Sequence, residues 1–196
     1  STHYEVLGSG PALLMFSPGG FDATIDKWRT QGIYTRLKVL DHLPAHYTCI
    51  VFDRRESGQS GGRVERLTWG HYVAQGKGLL DHLGIDRAHV MGACMGCSPA
   101  MAFAVAHPET VASLVLYWPV GGAHYRINSH QRFAEHLKYL RQHGLPGVTN
   151  LVRLERKPFN QDPRGGPWAT AIINDAAFAD AYAAQDLMRY FDVTSG

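Results

Sequence analysis

The stretch Val90-Met91-Gly92-Ala93-Cys94-Met95-Gly96-Cys97 constrains this chain more than any other. Ala88 to Met91 is a short apolar run with strand character, and Met95 to His107 follows with helical character and no spacer between them. A strand that turns directly into a helix leaves one residue at the apex, raised above the strand ends. Glycines two before and two after that residue, Gly92 and Gly96, supply the room so tight a turn demands. Cys94 holds the apex. The helix starting beside it presents amide N–H groups and the positive end of its dipole, which favours a thiolate and a developing oxyanion there.

The flanking sequence alternates in the same way. Tyr4 to Leu7 reads as a strand stopped by Gly8-Ser9-Gly10-Pro11, and Ala12 to Phe16 as a strand covered on both faces. Ser17-Pro18-Gly19-Gly20 breaks that run, and the spacing predicts a helix from Ile25 to Leu37. Tyr47 to Phe52 is the next strand. Thr68 to Leu83 is a helix closed by Gly84, although Gly70, Gly76 and Gly78 weaken its propensity. Pro108 stops the helix after Cys94, and Ala112 to Trp118 is a further strand. Strands alternating with helices at this spacing give βαβ units, hence an α/β protein with a mostly parallel sheet.

After Pro119 the pattern becomes helical. Phe133, Leu137 and Leu140 lie along one helix capped by Asn128 or Ser129 and ended by Gly144. A second helical piece runs from Gly147 towards Leu154. Pro158 to Pro167 reads as a loop, and Asp175 starts a long helix with Phe178, Tyr182 and Leu187 on one side. The expected organisation is a sheet domain over 1–120 and a helical cap over 121–196.

Composition excludes several function classes. With 45% hydrophobic residues the chain has enough apolar surface for a core, which argues against disorder. A net charge of +2 over 196 residues does not give the basic face that nucleic acid requires, and the 11 histidines are counted neutral at pH 7. No apolar run approaches the ~20 residues that cross a bilayer. Cys49, Cys94 and Cys97 are too few for a disulfide scaffold and fit a reducing, cytoplasmic setting. No motif implies a metal or other cofactor: zinc would need about four ligands, and no second cysteine pair exists. A small-molecule substrate is the expected partner, rather than nucleic acid or membrane. The oligomeric state is not legible.

Gly92-x-Cys94-x-Gly96 resembles the nucleophile elbow of the α/β-hydrolase superfamily, G-x-S-x-G, with cysteine in place of serine. Ser17-Pro18-Gly19-Gly20-Phe21 falls where that superfamily keeps an oxyanion-hole amide. Asp53-Arg54-Arg55-Glu56-Ser57-Gly58-Gln59-Ser60 is similar to its D-x-R-G-x-G-x-S loop, with Glu56 where Gly is usual. Pro18 stands where the superfamily often has His. Asp81-His82-Leu83-Gly84-Ile85 is typical of its approach to the elbow. The resemblance implies an α/β-hydrolase fold with a helical cap, Cys94 as nucleophile, and an oxyanion hole from the Met95 amide with that of Gly20 or Phe21. It also implies an acid and a histidine on loops after two further strands, which this sequence does not show before Gly196. A continuation carrying them is therefore expected, and Tyr4 to Leu7 would be the family's second strand. Should the chain need another base, His124 and His130 are the substitutes. Trp118, Phe133, Trp168 and Tyr182 are candidate pocket residues.

The expected chemistry is attack of Cys94 on a small, mainly apolar ester, lactone or thioester through an acyl-thioenzyme. Acyl transfer from the same elbow is an alternative, as is a non-catalytic homologue that binds a ligand between cap and sheet. Cys94-Met95-Gly96-Cys97 also permits a C-x-x-C redox pair. Cys97 reads as a helix residue packed behind the elbow. Asp53 and its arginines read as a structural network under the site, and His107 as a helix C-terminal residue. His136 and His143 read as solvated faces of the cap. Asp162, Asp175 and Asp180 read as turn or capping residues.

Overall fold

The computed structural model describes residues 1–19, 23–55, 57–62 and 68–119, together with Gln142, His143 and Gly147. The segments Ser1–Gly62 and Thr68–Val120 make one compact unit. Its chain order is β1 (Tyr4–Leu7), β2 (Ala12–Phe16), α1 (Lys27–Thr30), α2 (Tyr34–Leu37), α3 (Val39–His42), β3 (Thr48–Phe52), α4 (Trp69–His82), β4 (Ala88–Ala93), α5 (Cys97–Ala106) and β5 (Val111–Tyr117). The predicted strands form, β4 running two residues further than expected, to Ala93.

The strands lie in the order β1-β3-β2-β4-β5. β1 is antiparallel to β3, and every other neighbouring pair is parallel. Alternation along β2 decides the layers. Leu14 and Phe16 face Val73, Leu79 and Leu80 of α4 and Ala100 and Phe103 of α5. Leu13 and Met15 face the opposite side, where Ile25, Trp28, Tyr34 and Leu40 cover them. Leu14 and Met15 have no exposed surface, and each such side chain stabilises the fold by about 1.5–3 kcal/mol. β5 lies at the edge of the described sheet, with Leu114, Val115 and Leu116 each more than a third exposed.

One expected helix is broken. Instead of a single helix from Ile25 to Leu37, the chain makes two one-turn pieces, α1 and α2, with a third, α3, just beyond. Gly32 at φ +51 separates the first two, and Lys38 at φ +46 separates the second from the third. Both are left-handed conformations that an α-helix cannot contain. α4 forms in spite of its glycines. Thr68 and His71 close a reciprocal capping box at its start, and Gly84 at φ +67 follows its end. Gly76 has a packing reason, since a Cβ there would lie 3.0 Å from the Phe16 ring and 3.3 Å from that of Phe103.

Candidate active site

The strand order itself fixes a crevice. From β2 the chain crosses to β3 on one side, and β4 returns to pair with β2 on the other. The order therefore reverses between β2 and β4, and in an open parallel sheet ligands bind beyond the carboxyl ends of the strands at that point. Phe16 and Gly92 are opposite each other at the ends of these two strands. The two loops that leave them are Ser17-Pro18-Gly19 and the Cys94 turn.

Cys94 sits at the apex with φ +52, one of three non-glycine residues at positive φ among the described residues. A left-handed cysteine costs about 1–2 kcal/mol and persists only where its surroundings enforce it. The turn that follows, Cys94–Gly96, is a 3₁₀ turn whose Cys94 and Met95 carbonyls accept the Cys97 amide, and α5 then continues. The helix start predicted at Met95 is thus a tighter turn first. The flanking glycines are needed for close approach rather than for unusual φ. A Cβ on Gly92 would collide with the Gly96 carbonyl and lie 2.7 Å from both Ala100 Cβ and Cys97 Cα. A Cβ on Gly96 would collide with the Phe16 carbonyl and lie 2.6 Å from that of Ser17. The elbow is therefore packed directly onto the first residues of the β2 loop.

Cys97 lies behind the elbow as expected. Its thiol, 3% exposed, donates to the Gly92 carbonyl at 3.1 Å and lies 3.4 Å from that of Tyr117, linking the ends of β4 and β5. Burial pushes the Cys97 thiol up, the neighbouring Cys94 adds to this, and the Tyr117 contact opposes it. Cys94, in contrast, is only half-buried.

The loop after β2 is pinned at both ends. The Ser17 hydroxyl donates to the Phe52 carbonyl at 3.3 Å. At the far end, the buried Asp53 carboxylate accepts the Ile25 amide at 2.7 Å, and the Arg54 amide donates to Ala23 at 2.9 Å. Asp53 also accepts the Gln59 amide at 2.8 Å and pairs with His3 Nδ1 at 3.1 Å. Gln75 donates to the Asp53 carbonyl and accepts the Arg55 amide. Gly58, at φ +55, leaves no room for a Cβ beside the carboxylate. Asp53 is structural, as the sequence indicates, yet its carboxylate partners are backbone amides and His3 rather than the adjacent arginines. The Arg54 guanidinium instead lies 4.7 Å over the Tyr72 ring.

Sequence reasoning passed over Tyr34. Its ring is 4% exposed and packs edge-on against Trp28 and Tyr117. Burial pushes its phenol far above the usual tyrosine range, and negative charge on Cys94, Cys97 and Tyr117 adds to that rise. Trp118 follows Tyr117 at φ +54 with its indole 64% exposed. His107 ends α5 and faces Glu109 at 3.6 Å. Gly20, Phe21, His124, His130, Phe133, Trp168 and Tyr182 lie outside the described residues, as do His136, Asp162, Asp175 and Asp180. The structure accordingly brings Cys94, Met95, Gly92 and Gly96 to the crevice, leaves Trp118 exposed after β5, and does not bear on the others. Among the described residues no cluster of three or more His, Cys, Asp or Glu could hold a metal ion. None of their helices is long and apolar enough to cross a membrane.

A family model described as "alpha/beta hydrolase fold" matches residues 12–161. This chain belongs to the α/β-hydrolase family. Among curated proteins it is 33% identical over 126 residues to a 2-hydroxy-6-oxo-6-phenylhexa-2,4-dienoate hydrolase of Comamonas testosteroni, covering 63% of this chain and 42% of that protein. It is also 33% identical over 118 residues to the dihydrolipoyllysine-residue acetyltransferase component of an acetoin cleaving system of Cupriavidus necator, covering 60% of this chain and 29% of that one. The chain thus spans less than half the length of these relatives. A solved 2-hydroxy-6-oxo-6-phenylhexa-2,4-dienoate hydrolase from Rhodococcus sp. strain RHA1 superposes with TM-score 0.57 at 20% identity, over 99% of this chain and 66% of that one, and supports the fold.

Proposed function

We propose that this protein is a hydrolase in which Cys94 forms an acyl-thioenzyme with a small, mainly apolar ester, lactone or thioester. The observation that carries the reading is the strained apex: a half-buried cysteine at φ +52, held by two space-limited glycines at the switch point of the sheet. A conformation this unfavourable serves to raise one side chain above the strand ends.

In the proposed reaction the Cys94 thiolate adds to the acyl carbonyl and forms a C–S bond. The carbonyl oxygen becomes an oxyanion facing the amide of Met95 and that of Gly20 or Phe21. Each such donor contributes about 3 kcal/mol of transition-state stabilisation. The intermediate collapses by breaking the bond to the leaving alcohol or thiol, which takes up a proton, and water then releases the acid and regenerates the thiol. Cys97 is kept from the acyl substrate by its burial, at 3% exposed with its thiol donated to the Gly92 carbonyl. The acid and base of the reaction come from outside the described residues, with His124 and His130 as candidates for the base. Similarity to an acetyltransferase component gives a second reading, in which an alcohol or thiol replaces water as acceptor.

The test combines turnover of p-nitrophenyl esters with iodoacetamide labelling. Labelling at Cys94 with loss of turnover in Cys94→Ala supports the reading. Unaltered ester turnover in Cys94→Ala overturns it.

A further inference from the structure

The acyl chemistry leaves the second thiol of the elbow unused, and its placement gives it a role of its own. Cys94 and Cys97 are three residues apart across a single 3₁₀ turn, closed by the Cys97 amide on the Cys94 carbonyl. Met95 and Gly96 make that turn, which rises about 2.0 Å per residue, so the Cα atoms of Cys94 and Cys97 lie roughly 6 Å apart whatever the φ of Cys94. That separation lies inside the ~4.4–6.8 Å window of disulfides. The environments of the two sulfurs differ. Cys94 is half-buried at the crevice, whereas Cys97 is 3% exposed and held against the Gly92 and Tyr117 carbonyls. Negative charge on Cys94 raises the Cys97 thiol, as two neighbouring sulfurs require.

We propose that Cys94 and Cys97 form an oxidative modification site for hydroperoxides, in which Cys94 is oxidised and Cys97 resolves it as an intramolecular disulfide. In the first step the Cys94 thiolate attacks the terminal peroxide oxygen. The S–O bond forms, the O–O bond breaks, and the alcohol or water formed carries away the proton. Cys94 is thereby oxidised to a sulfenic acid and the hydroperoxide is reduced. In the second step the Cys97 sulfur attacks the sulfenic sulfur. The S–S bond forms, the S–O bond breaks, and hydroxide leaves with the Cys97 proton as water. One hydroperoxide and two thiols give one alcohol, one water and one disulfide. The disulfide removes the apex nucleophile reversibly and holds Cys94 short of the irreversible sulfinic acid. Buried Cys97 is sheltered from direct oxidation and supplied to its neighbour within one turn. Cys49 lies fully buried in β3 and takes no part. The proposal rests on Cys94 being the reactive thiol of the elbow and is independent of its acyl chemistry.

The experiment treats the protein with one equivalent of hydrogen peroxide, alkylates it, and maps its peptides by mass spectrometry. Expected is a peptide containing Cys94 and Cys97 that is two hydrogens lighter and unalkylated, restored by dithiothreitol, with Cys49 unchanged. In Cys97→Ser, and in Cys97→Ala should serine disturb the apolar site, Cys94 is instead trapped by dimedone and proceeds to higher oxides that dithiothreitol does not reverse. Alkylation of both thiols after peroxide, or sulfinic acid at Cys94 beside a free Cys97 in the parent protein, would overturn the proposal. So would Cys97 variants whose Cys94 is oxidised no further than in the parent. Ester turnover surviving in Cys94→Ala refutes the acyl reading alone, while failure of this disulfide leaves that reading intact.

Discussion

Replacing Gly96 by alanine tests the contact between the elbow and the β2 loop. Gly96 closes the 3₁₀ turn just before α5 at φ −66, so alanine meets no backbone strain there. Any loss must then be steric. The new methyl would collide with the Phe16 carbonyl and lie 2.6 Å from that of Ser17. Relaxing the second contact to an ordinary C···O separation of ~3.4 Å moves the loop and the elbow apart by roughly 0.8 Å. Both obstacles are backbone atoms, so no side-chain rotation relieves them. Overpacking of this kind costs about 1–3 kcal/mol. The functional effect is larger, because a displacement near 1 Å costs about 100-fold where two loops must converge on one oxyanion. The assay is the first-turnover release of p-nitrophenolate, beside the rate of Cys94 alkylation by iodoacetamide. Alkylation needs no oxyanion hole, so it stays within a few fold of the parent while acylation falls about 100-fold. Acylation that stays at the parent rate in a folded Gly96→Ala protein would refute the convergence of these loops.

Cys49 makes stability fall at alkaline pH. Burial pushes its thiol from 9.0 up to about 11, so the folded state keeps a proton that the unfolded chain gives up. Its contribution is complete below pH 9 and falls by about 2–3 kcal/mol between pH 9 and 11, which urea unfolding across that range will read and Cys49→Val should flatten. Asp53→Asn leaves the amides of Ile25 and Gln59 and the His3 ring without a carboxylate; the expected loss is about 2–3 kcal/mol by urea unfolding, with slower acylation as the β2 loop loosens. Lys77→Ala breaks an exposed i,i+4 pair with Asp81 on α4, so its unfolding midpoint should correspond to a change below about 0.5 kcal/mol.

The strands of this fold are legible because their apolar runs are short and stopped by Gly, Pro or Asp, as at Ala12–Phe16 and Thr48–Phe52. The ends of α4 are legible in the same local way, from Thr68 and Gly84. The break after α2 is not, because a lysine gives no local sign that it will adopt φ +46 at Lys38. The elbow could be read because its two glycines flank Cys94 directly at a strand–helix junction, although the obstacle that Gly96 answers to, the Phe16 and Ser17 carbonyls, lies about 80 residues away. The web around Asp53 could not: His3 and Gln75 lie 50 and 22 residues away, and a polar contact over such distances leaves no periodic trace. Tyr34 escaped for a related reason. It looks like one more apolar position of an expected helix, and only the packing of α2 against the end of β5 sets it beside Tyr117, whose carbonyl the Cys97 thiol faces.

In the proposed reaction the Cys94 sulfur takes the acyl group. Peptide mass mapping after brief exposure to p-nitrophenyl acetate measures this directly. One acetyl group is expected on Cys94, released by hydroxylamine, with Cys49 and Cys97 unmodified. Acetylation of another residue while p-nitrophenolate is released, with Cys94 left free, would contradict it.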